Sequence, residues 1–313
     1  MKRSAIDVLR RGLDDTVANW PLILIRLGEA VVLSILAVAA VLAILVPIAV
    51  SVGISLASLQ TPEDLESLLV VLASKWILLI WIVVGITLLM LVFVAVHSFV
   101  EAGSARVYVD AERAAGPANE GSRARFRMFS MDRWISGGAS GWWTVFWIYN
   151  LAWGVAGLIM LLPLIPTALL MLLLREKPEA LVATGCFGLV ATLLLMFVLA
   201  LVTGMWTNRA IVDWAANGTG AAASLSGAWA AFRADLGRHI LIAAAAIFIA
   251  MAGSSFFAGF SIFAAFGETL GRDGFINFLT LPIRLLASLA STAFSAAVTS
   301  WYVAAYAALT VER

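Results

Sequence analysis

Long apolar stretches alternate with polar segments along the whole chain. Six of them exceed the roughly 20 residues that cross a bilayer as a helix, and they cover residues 27–56, 69–99, 143–173, 181–206, 240–266 and 280–308. Their apolar residues follow one another without the alternation expected of half-buried strands. The pattern predicts an all-α integral membrane protein with six transmembrane helices, and we treat residues 1–313 as a single membrane domain.

A polar segment with apolar residues at helical spacing precedes each odd-numbered span. These residues are Leu9, Leu13, Thr16 and Trp20 before the first span, Met128, Met131, Ile135, Gly138 and Trp142 before the second, and Leu225, Trp229, Phe232 and Leu236 before the third. Steps of three and four residues place each set on one helix face, as in amphipathic helices of the membrane interface. We therefore predict an interfacial helix before each transmembrane hairpin.

The even-numbered spans also end alike. The second ends in Arg106-Val-Tyr-Val-Asp110, the fourth in Arg209-Ala-Ile-Val-Asp213, and the sixth in Ala308-Leu-Thr-Val-Glu312, which keeps the acid but lacks the arginine. Together with the amphipathic segments, this indicates three repeats, over residues 1–115, 116–216 and 217–313. Each repeat enters the membrane from the same side, so the repeats are parallel.

This combination of features resembles a known type of membrane domain. Amphipathic segments with aromatic residues lead into hairpins that end in an Arg-x-x-x-acid sequence, as in poorly characterised bacterial multispanning families. One of these is the membrane domain attached to some glycerophosphodiester phosphodiesterases. The resemblance covers most of the chain, but it implies no activity, because the loops are too short to contain a soluble phosphodiesterase domain.

The distribution of basic residues predicts the orientation. Fifteen of the twenty lysines and arginines lie in the N-terminal segment, in the long connections 100–142 and 207–239, and at the C-terminus. Positive residues favour the cytoplasmic side, so both termini and both long connections are expected there. Glycine-rich stretches at 137–141 and 217–220 predict helix breaks in these connections. The absence of a cleavable signal pattern is consistent with a multi-pass protein of a bacterial plasma (inner) membrane.

Composition excludes several classes of function. The chain is 63% hydrophobic and 12% charged, and its net charge of +1 offers no basic surface for nucleic acid. One cysteine, Cys186, and two histidines, His97 and His239, are too few for a metal-ligand motif. The sequence shows no catalytic triad or paired catalytic carboxylates, so we expect no enzyme, no cofactor and no metal.

A polar stripe runs along the last span. It consists of Ser288, Thr292, Ser295, Thr299, Tyr302 and Tyr306, which alternate in steps of four and three residues. Small and hydroxyl-bearing residues allow membrane helices to approach closely, which favours a packing seam. The alternative is a polar path or binding groove.

Charged and ionisable residues near the span ends predict an ion-pair network. Its candidate members are His97, Glu101, Arg106, Asp110, Arg209 and Asp213. Taken in order, these residues form three pairs. The two members of each pair are four residues apart, which allows contact on one helix face. By the same reasoning, Arg26 can pair with Glu29 at the start of the first span. The simple interpretation is a set of ion pairs at the helix ends, and the alternatives are a gating network and a His–Glu proton relay.

These observations favour a non-enzymatic function. We expect a scaffold or accessory subunit of a membrane complex, in contact with the lipid bilayer and with other membrane proteins. The alternative is a small-solute or lipid transporter that uses the polar face of the last helix.

Overall fold

The computed structural model describes residues 3–52, 76–116, 123–174, 176–270 and 274–312. These residues form eight α-helices and no strand. The helices are α1 (Ala5–Ala18), α2 (Pro21–Val52), α3 (Trp76–Ala115), α4 (Met131–Leu173), α5 (Pro178–Asn217), α6 (Ala221–Ala234), α7 (Leu236–Leu270) and α8 (Gly274–Val311). A short 3₁₀ helix, Arg123–Phe126, lies between α3 and α4.

Six of these helices are long and apolar enough to cross a membrane. They are α2, α3, α4, α5, α7 and α8, and their most apolar windows have mean hydropathies of 1.3 to 3.1. A helix satisfies its own backbone hydrogen bonds, which is required where lipid supplies none. The chain is therefore an all-α, multi-pass membrane protein, and the predicted fold class is confirmed.

The helices extend beyond the predicted spans. The prediction 69–99 begins outside the described residues, whereas α3 continues to Ala115 and includes the Arg106–Asp110 sequence. With 40 residues and a rise of about 1.5 Å per residue, α3 is about 60 Å long. This is roughly twice the thickness of the hydrocarbon core. Hydropathy detects only the apolar part of a helix, which lipid can surround. The predicted spans therefore did not include the polar helix ends.

Two of the three predicted interfacial segments form separate helices, and the second does not. The first corresponds to α1, which begins with a capping box between Ser4 and Asp7, and the third corresponds to α6. The second is continuous with its span in the 43-residue helix α4, which begins after Ser130.

The glycines of the 137–141 stretch do not break α4. A Cβ on Gly138 would lie 2.8 Å from the Phe99 ring, and one on Gly141 would lie 1.9 Å from the Trp214 ring. The predicted break is therefore wrong at this stretch, because these glycines allow close packing against neighbouring helices. Gly218, by contrast, ends α5 in the left-handed conformation, with a φ of 68°.

The chain divides into two compact units. Unit two is Leu27–His97, and unit one comprises Met1–Arg26 and Ser98–Arg313. Within unit two, α2 and α3 approach closely at Gly85, where a Cβ would lie 2.9 Å from Ile44.

The core of unit one includes many small residues in the C-terminal parts of α3, α5 and α8. The core alanines in these three helices are Ala102, Ala105, Ala210, Ala215, Ala304, Ala305, Ala307 and Ala308. Small residues let helix backbones approach each other. Helix α8 is the most enclosed span, with 61% of its apolar window buried, against 17% or less in each of the others.

Each predicted amphipathic segment packs on the C-terminal part of an even-numbered span. Helix α1 lies on α8, where the Trp301 indole donates a 2.8 Å hydrogen bond to the Leu9 carbonyl. The start of α4 lies on α3, where a Cβ on Gly103 would come within 2.6 Å of the Trp134 backbone. Helix α6 lies on α5, where Trp206 donates to the Leu225 carbonyl at 2.8 Å.

Asn19 attaches the end of α1 to the segment before α4. Its side chain is buried and donates to the Phe126 carbonyl at 2.7 Å. Its carbonyl oxygen accepts from the backbone amides of Met128 and Phe129, at 3.0 and 2.8 Å. One side chain thus satisfies three backbone groups of a segment that has no helical partners for them.

Asp15 lies beside Asn19 and is fully buried. Asn19 donates to its Oδ1 at 2.7 Å. Burial, with the nearby Glu112 carboxylate as the second cause, raises the pKa of Asp15 well above its ordinary value. The folded chain therefore favours the protonated carboxyl.

This environment predicts that pH affects stability through Asp15. Above the ordinary Asp pKa of about 3.9, the unfolded chain releases this proton and the folded chain retains it. The free energy of unfolding should therefore fall by about 1.4 kcal/mol per pH unit until the raised folded pKa is reached. Asp15→Asn resembles the neutral carboxyl and should remove this slope. Thermal unfolding in detergent should show the variant more stable than wild type at pH 8 and similar at pH 4.

The matched control is Asp14→Asn. Asp14 pairs with the largely exposed Arg123 at 2.8 Å, and an exposed pair contributes at most about 1 kcal/mol. The control should lose a little stability at pH 8. If Asp15→Asn were also less stable at pH 8, the Asp15 carboxylate would have to be ionised in the fold.

Candidate functional site

A buried ion pair joins α2 and α3 at one edge of unit one. The guanidinium of Arg26 contacts the Glu101 carboxylate through two parallel hydrogen bonds, of 2.7 and 2.9 Å. Both side chains are almost fully buried. A bidentate contact requires the guanidinium and the carboxylate to face each other. Here the two side chains come from neighbouring helices.

The other two predicted members of this region meet in unit two. His97 Nδ1 lies 2.6 Å from Glu29 Oε1. The structure therefore joins His97 to Glu29 and Glu101 to Arg26. Sequence spacing identified the residues but not these two contacts between helices, because such contacts depend on the rotation of each helix.

Arg106 reaches a neighbouring helix rather than serving mainly as a partner of Asp110. Its nearest approach to Asp110 is 3.9 Å, whereas it donates to the Ala215 carbonyl at 2.8 Å. Arg113 donates to the next carbonyl, that of Ala216. Both acceptors lie in the last turn of α5, where carbonyls lack helical partners and a positive charge is favourable.

Glu112 forms a second buried charge cluster, which the sequence analysis did not identify. Arg11 of α1 contacts its carboxylate at 2.7 Å, and Arg3 lies 3.4 Å from the same group. Arg11 also donates to the Gly116 carbonyl at 2.9 Å. The available signal was an acid two residues beyond Asp110 in a helix whose other members are mostly small and apolar.

Glu312, the acid of the third sequence match, joins the N-terminal segment to α7. Arg238 donates to its carboxylate at 2.9 Å, and the backbone amide of Arg3 donates to the same group. Arg238 also pairs with Asp235. Glu312 and Arg238 thus hold the N-terminal segment at Arg3 against the end of α8.

Arg209 and Asp213 lie one turn apart on α5 and face different surroundings. Asp213 accepts a 3.2 Å hydrogen bond from Asn217. Arg209 is buried and lines a cavity of about 180 Å³. The wall of this polar cavity consists of Arg209, Ala231, Ala234, Asp235, Arg238, His239, Leu309 and Glu312.

His239 gives the polar cavity a defined hydrogen-bonding character. Its side chain is buried, and Nδ1 lies 2.9 Å from the Asp235 carbonyl. A carbonyl only accepts, so Nδ1 carries the proton and Nε2 of the neutral ring is an acceptor. Among the residues that the structure describes, Nε2 has no hydrogen-bond partner.

The polar stripe of α8 is not uniform in its surroundings. Ser288, Ser295 and Thr299 are exposed, Thr292 and Tyr302 are partly buried, and Tyr306 is buried. Thr292 and Thr299 donate to the carbonyls four residues earlier, at 2.9 Å each. The exposed part of the stripe is therefore not buried in a seam between helices of this chain, and these two hydroxyls have partners on their own helix.

Thr299 and Tyr302 line an apolar groove of about 250 Å³ between α5, α7 and α8. Its other wall residues are Ala200, Leu201, Gly204, Met205, Ala243, Ala246, Ile247, Ala250 and Val298. The Tyr302 hydroxyl donates to that of Tyr306 at 3.4 Å. The wall thus offers mainly methyl and methylene groups.

The described residues contain no group of three His, Cys, Asp or Glu side chains placed to hold a metal ion. Comparison of the chain with protein-family models, with curated proteins and with solved structures finds no match. The site residues must therefore be interpreted from their geometry.

The Arg26–Glu101 pair provides a test of the charge network. Arg26→Met leaves the Glu101 carboxylate buried without its main counter-charge and should destabilise the protein by about 3–5 kcal/mol. Arg26→Met combined with Glu101→Met should recover most of this loss, because no buried charge remains. Thermal unfolding in detergent measures both effects.

Arg123→Met, at an exposed pair, serves as the control and should change stability by less than about 1 kcal/mol. A double variant as unstable as Arg26→Met alone would contradict this interpretation.

Proposed function

We propose that this protein is a non-enzymatic scaffold or accessory subunit of a membrane complex. Ion pairs at the helix ends would hold the helices together, and the lipid-exposed faces of the spans would contact other membrane proteins. The resemblance to the membrane domain of glycerophosphodiester phosphodiesterases remains a prediction and adds no activity to this proposal.

The observation on which the proposal rests is the contrast between the helix ends and the spans. At the ends, Arg11, Arg26 and Arg238 form ion pairs inside the chain. In the spans, the apolar windows of α4 and α5 are each only 6% buried. The chain thus uses its charges to hold itself together and leaves most of its apolar helix surface to lipid or to other proteins.

The α4–α5 hairpin is the best candidate for a contact surface. Helix α4 exposes Leu158, Leu162 and Leu173, which share a face, and α5 exposes Phe187 and Leu194. These large exposed apolar side chains can pack against the helices of other membrane proteins. The two helices are joined closely, because a Cβ on Gly188 would lie 2.2 Å from Thr167.

The packing of the amphipathic segments supports the proposed repeats. The second segment packs on α3 and the third on α5, each on the preceding hairpin, while the first packs on α8, the last hairpin. Each predicted segment thus contacts the C-terminal part of an even-numbered span, as three copies of one unit would. We therefore propose that the chain is a parallel three-fold repeat.

For orientation, we propose that both termini lie in the cytoplasm of a bacterium, as the positive-inside rule predicts. A periplasm-active reporter fused after residue 120 or 220 should be inactive, and one fused after residue 177 should be active. Activity at residue 120 would contradict the orientation.

A lipid or small-solute transporter is the second candidate, and the apolar groove beside Thr299 and Tyr302 favours it. The groove lies among three spans and could guide an apolar substrate. However, two of the stripe's hydroxyls donate within α8, which weakens the case for a hydrated path.

Site-specific photo-crosslinking tests the scaffold proposal. A photoreactive phenylalanine analogue at Leu162, Phe187 or Phe248 would sample three exposed positions. We expect one polypeptide of defined mass to crosslink at a subset of these positions and to co-purify at fixed stoichiometry. Alanine at a crosslinking position should reduce co-purification without changing the unfolding temperature of the purified chain.

Two controls make this result interpretable. The analogue at the buried Ile148 should crosslink only within the chain, and alanine at an exposed position without crosslinks should leave co-purification intact. Crosslinks to lipid alone, together with solute or lipid flux in vesicles that contain only this chain, would favour transport.

A further inference from the structure

We infer that the polar cavity and the apolar groove form one binding site for an anionic phospholipid whose headgroup carries a hydroxyl group. The phosphate and headgroup occupy the polar cavity, and one acyl chain occupies the groove. This inference does not depend on the scaffold proposal.

The polar cavity and the apolar groove lie one turn apart on the same helices of unit one. On α5, Met205 lines the groove and Arg209, four residues later, lines the cavity. On α7, Ala243 lines the groove and His239, four residues earlier, lines the cavity. Side chains four residues apart are neighbours on a helix face, so the polar and apolar walls are adjacent on both helices.

The depth of the two parts matches the two parts of a lipid. The sequence predicts that the apolar spans end at 206 and 308 and begin at 240. Arg209, His239 and Glu312 lie within four residues outside these limits, where lipid phosphates are found. Every residue of the groove wall lies inside the predicted spans, at the depth of acyl chains.

The charges of the cavity wall balance, because the guanidinium groups of Arg209 and Arg238 lie with the carboxylates of Asp235 and Glu312. Arg238 holds both carboxylates of the wall, Asp235 and Glu312. Arg209 adds a buried positive charge to the wall, and a guanidinium is well suited to phosphate oxygens. The two carboxylates would repel a dianion more strongly than a phosphodiester, which carries one charge.

His239 is the reason for expecting a hydroxyl group in the lipid headgroup. Its Nε2 is a buried acceptor without a partner in the described parts of the chain, and a buried polar group without a hydrogen bond is unfavourable. A phosphodiester oxygen cannot donate to it, but a hydroxyl of the headgroup can. Arg209 and His239 together therefore recognise an acceptor and a donor on the same headgroup.

The groove suits hydrocarbon. Gly204, Ala243 and Ala246 leave space between the helices, and the exposed Thr299 places the groove at the surface of the spans. The Thr299 and Tyr302 hydroxyls donate to Ser295 and Tyr306, so neither requires a polar ligand. An acyl chain can enter sideways from the bilayer.

Two variants at glycine positions test the acyl-chain site. A side chain on Gly204 would meet no atom within 4 Å, and the same holds for Gly154, which does not line the groove. Gly204→Leu should fill the groove without disturbing the helices, and Gly154→Leu is its matched control. Phospholipid retained by protein purified in mild detergent is measured by native mass spectrometry.

Wild type and Gly154→Leu are expected to retain one anionic phospholipid per chain. Gly204→Leu should retain at least about tenfold less, and Arg209→Gln should show a similar loss, the change that follows from removing one charge-assisted hydrogen bond. Equal retention by Gly204→Leu and Gly154→Leu, or no lipid on the wild type, would overturn the inference.

Adding lipid back tests the headgroup. Delipidated protein should be stabilised against heat by phosphatidylglycerol more than by phosphatidylmethanol, which lacks the hydroxyl, and least by phosphatidylcholine. His239→Leu should remove the difference between the first two lipids. If inorganic phosphate stabilised the protein as well as phosphatidylglycerol, the cavity would be a simple anion site and the lipid assignment would be wrong.

Discussion

The pairing of buried charges is the constraint on which the rest of this structure depends. An unpaired ion in a medium of low dielectric constant is strongly unfavourable, so a buried arginine needs a compensating negative charge. Arg26 contacts Glu101 on α3, and Arg11 contacts Glu112 on the same helix. These two contacts attach the N-terminal segment to α3.

Sequence alone predicted the six spans because hydrophobicity acts on each segment separately. It also identified Glu101, His97 and Arg106 as unusual, since charges near apolar helices are rare. It did not predict their contacts with another helix. Spacing relates residues on one helix only, whereas in the structure His97 contacts Glu29 and Glu101 contacts Arg26. The chosen contact depends on the rotation of two helices, which no local pattern encodes.

Glycine illustrates the same limit. The cluster at 137–141 was interpreted as a helix break, since glycine costs about 1 kcal/mol relative to alanine inside a helix. In the structure, Gly138 and Gly141 lie where Phe99 and Trp214 need space. Close contact with another helix outweighs the local preference. Gly218, which ends α5 at a positive φ, acts as the local pattern predicts.

Unit one has two parts that are held in different ways. The helix ends are joined by ion pairs of Arg11, Arg26 and Arg238, whereas the apolar spans are mostly exposed. Arg11, Asp15 and Asn19 are buried and form specific hydrogen bonds with other parts of the chain or with each other. Toward the middle of the spans, packing within the chain is sparse, and the occupants of the helix faces come from the membrane. The boundary between these parts lies at Arg209 and His239, where polar and apolar walls meet. A ligand with a polar head and an apolar tail would contact both walls at this boundary.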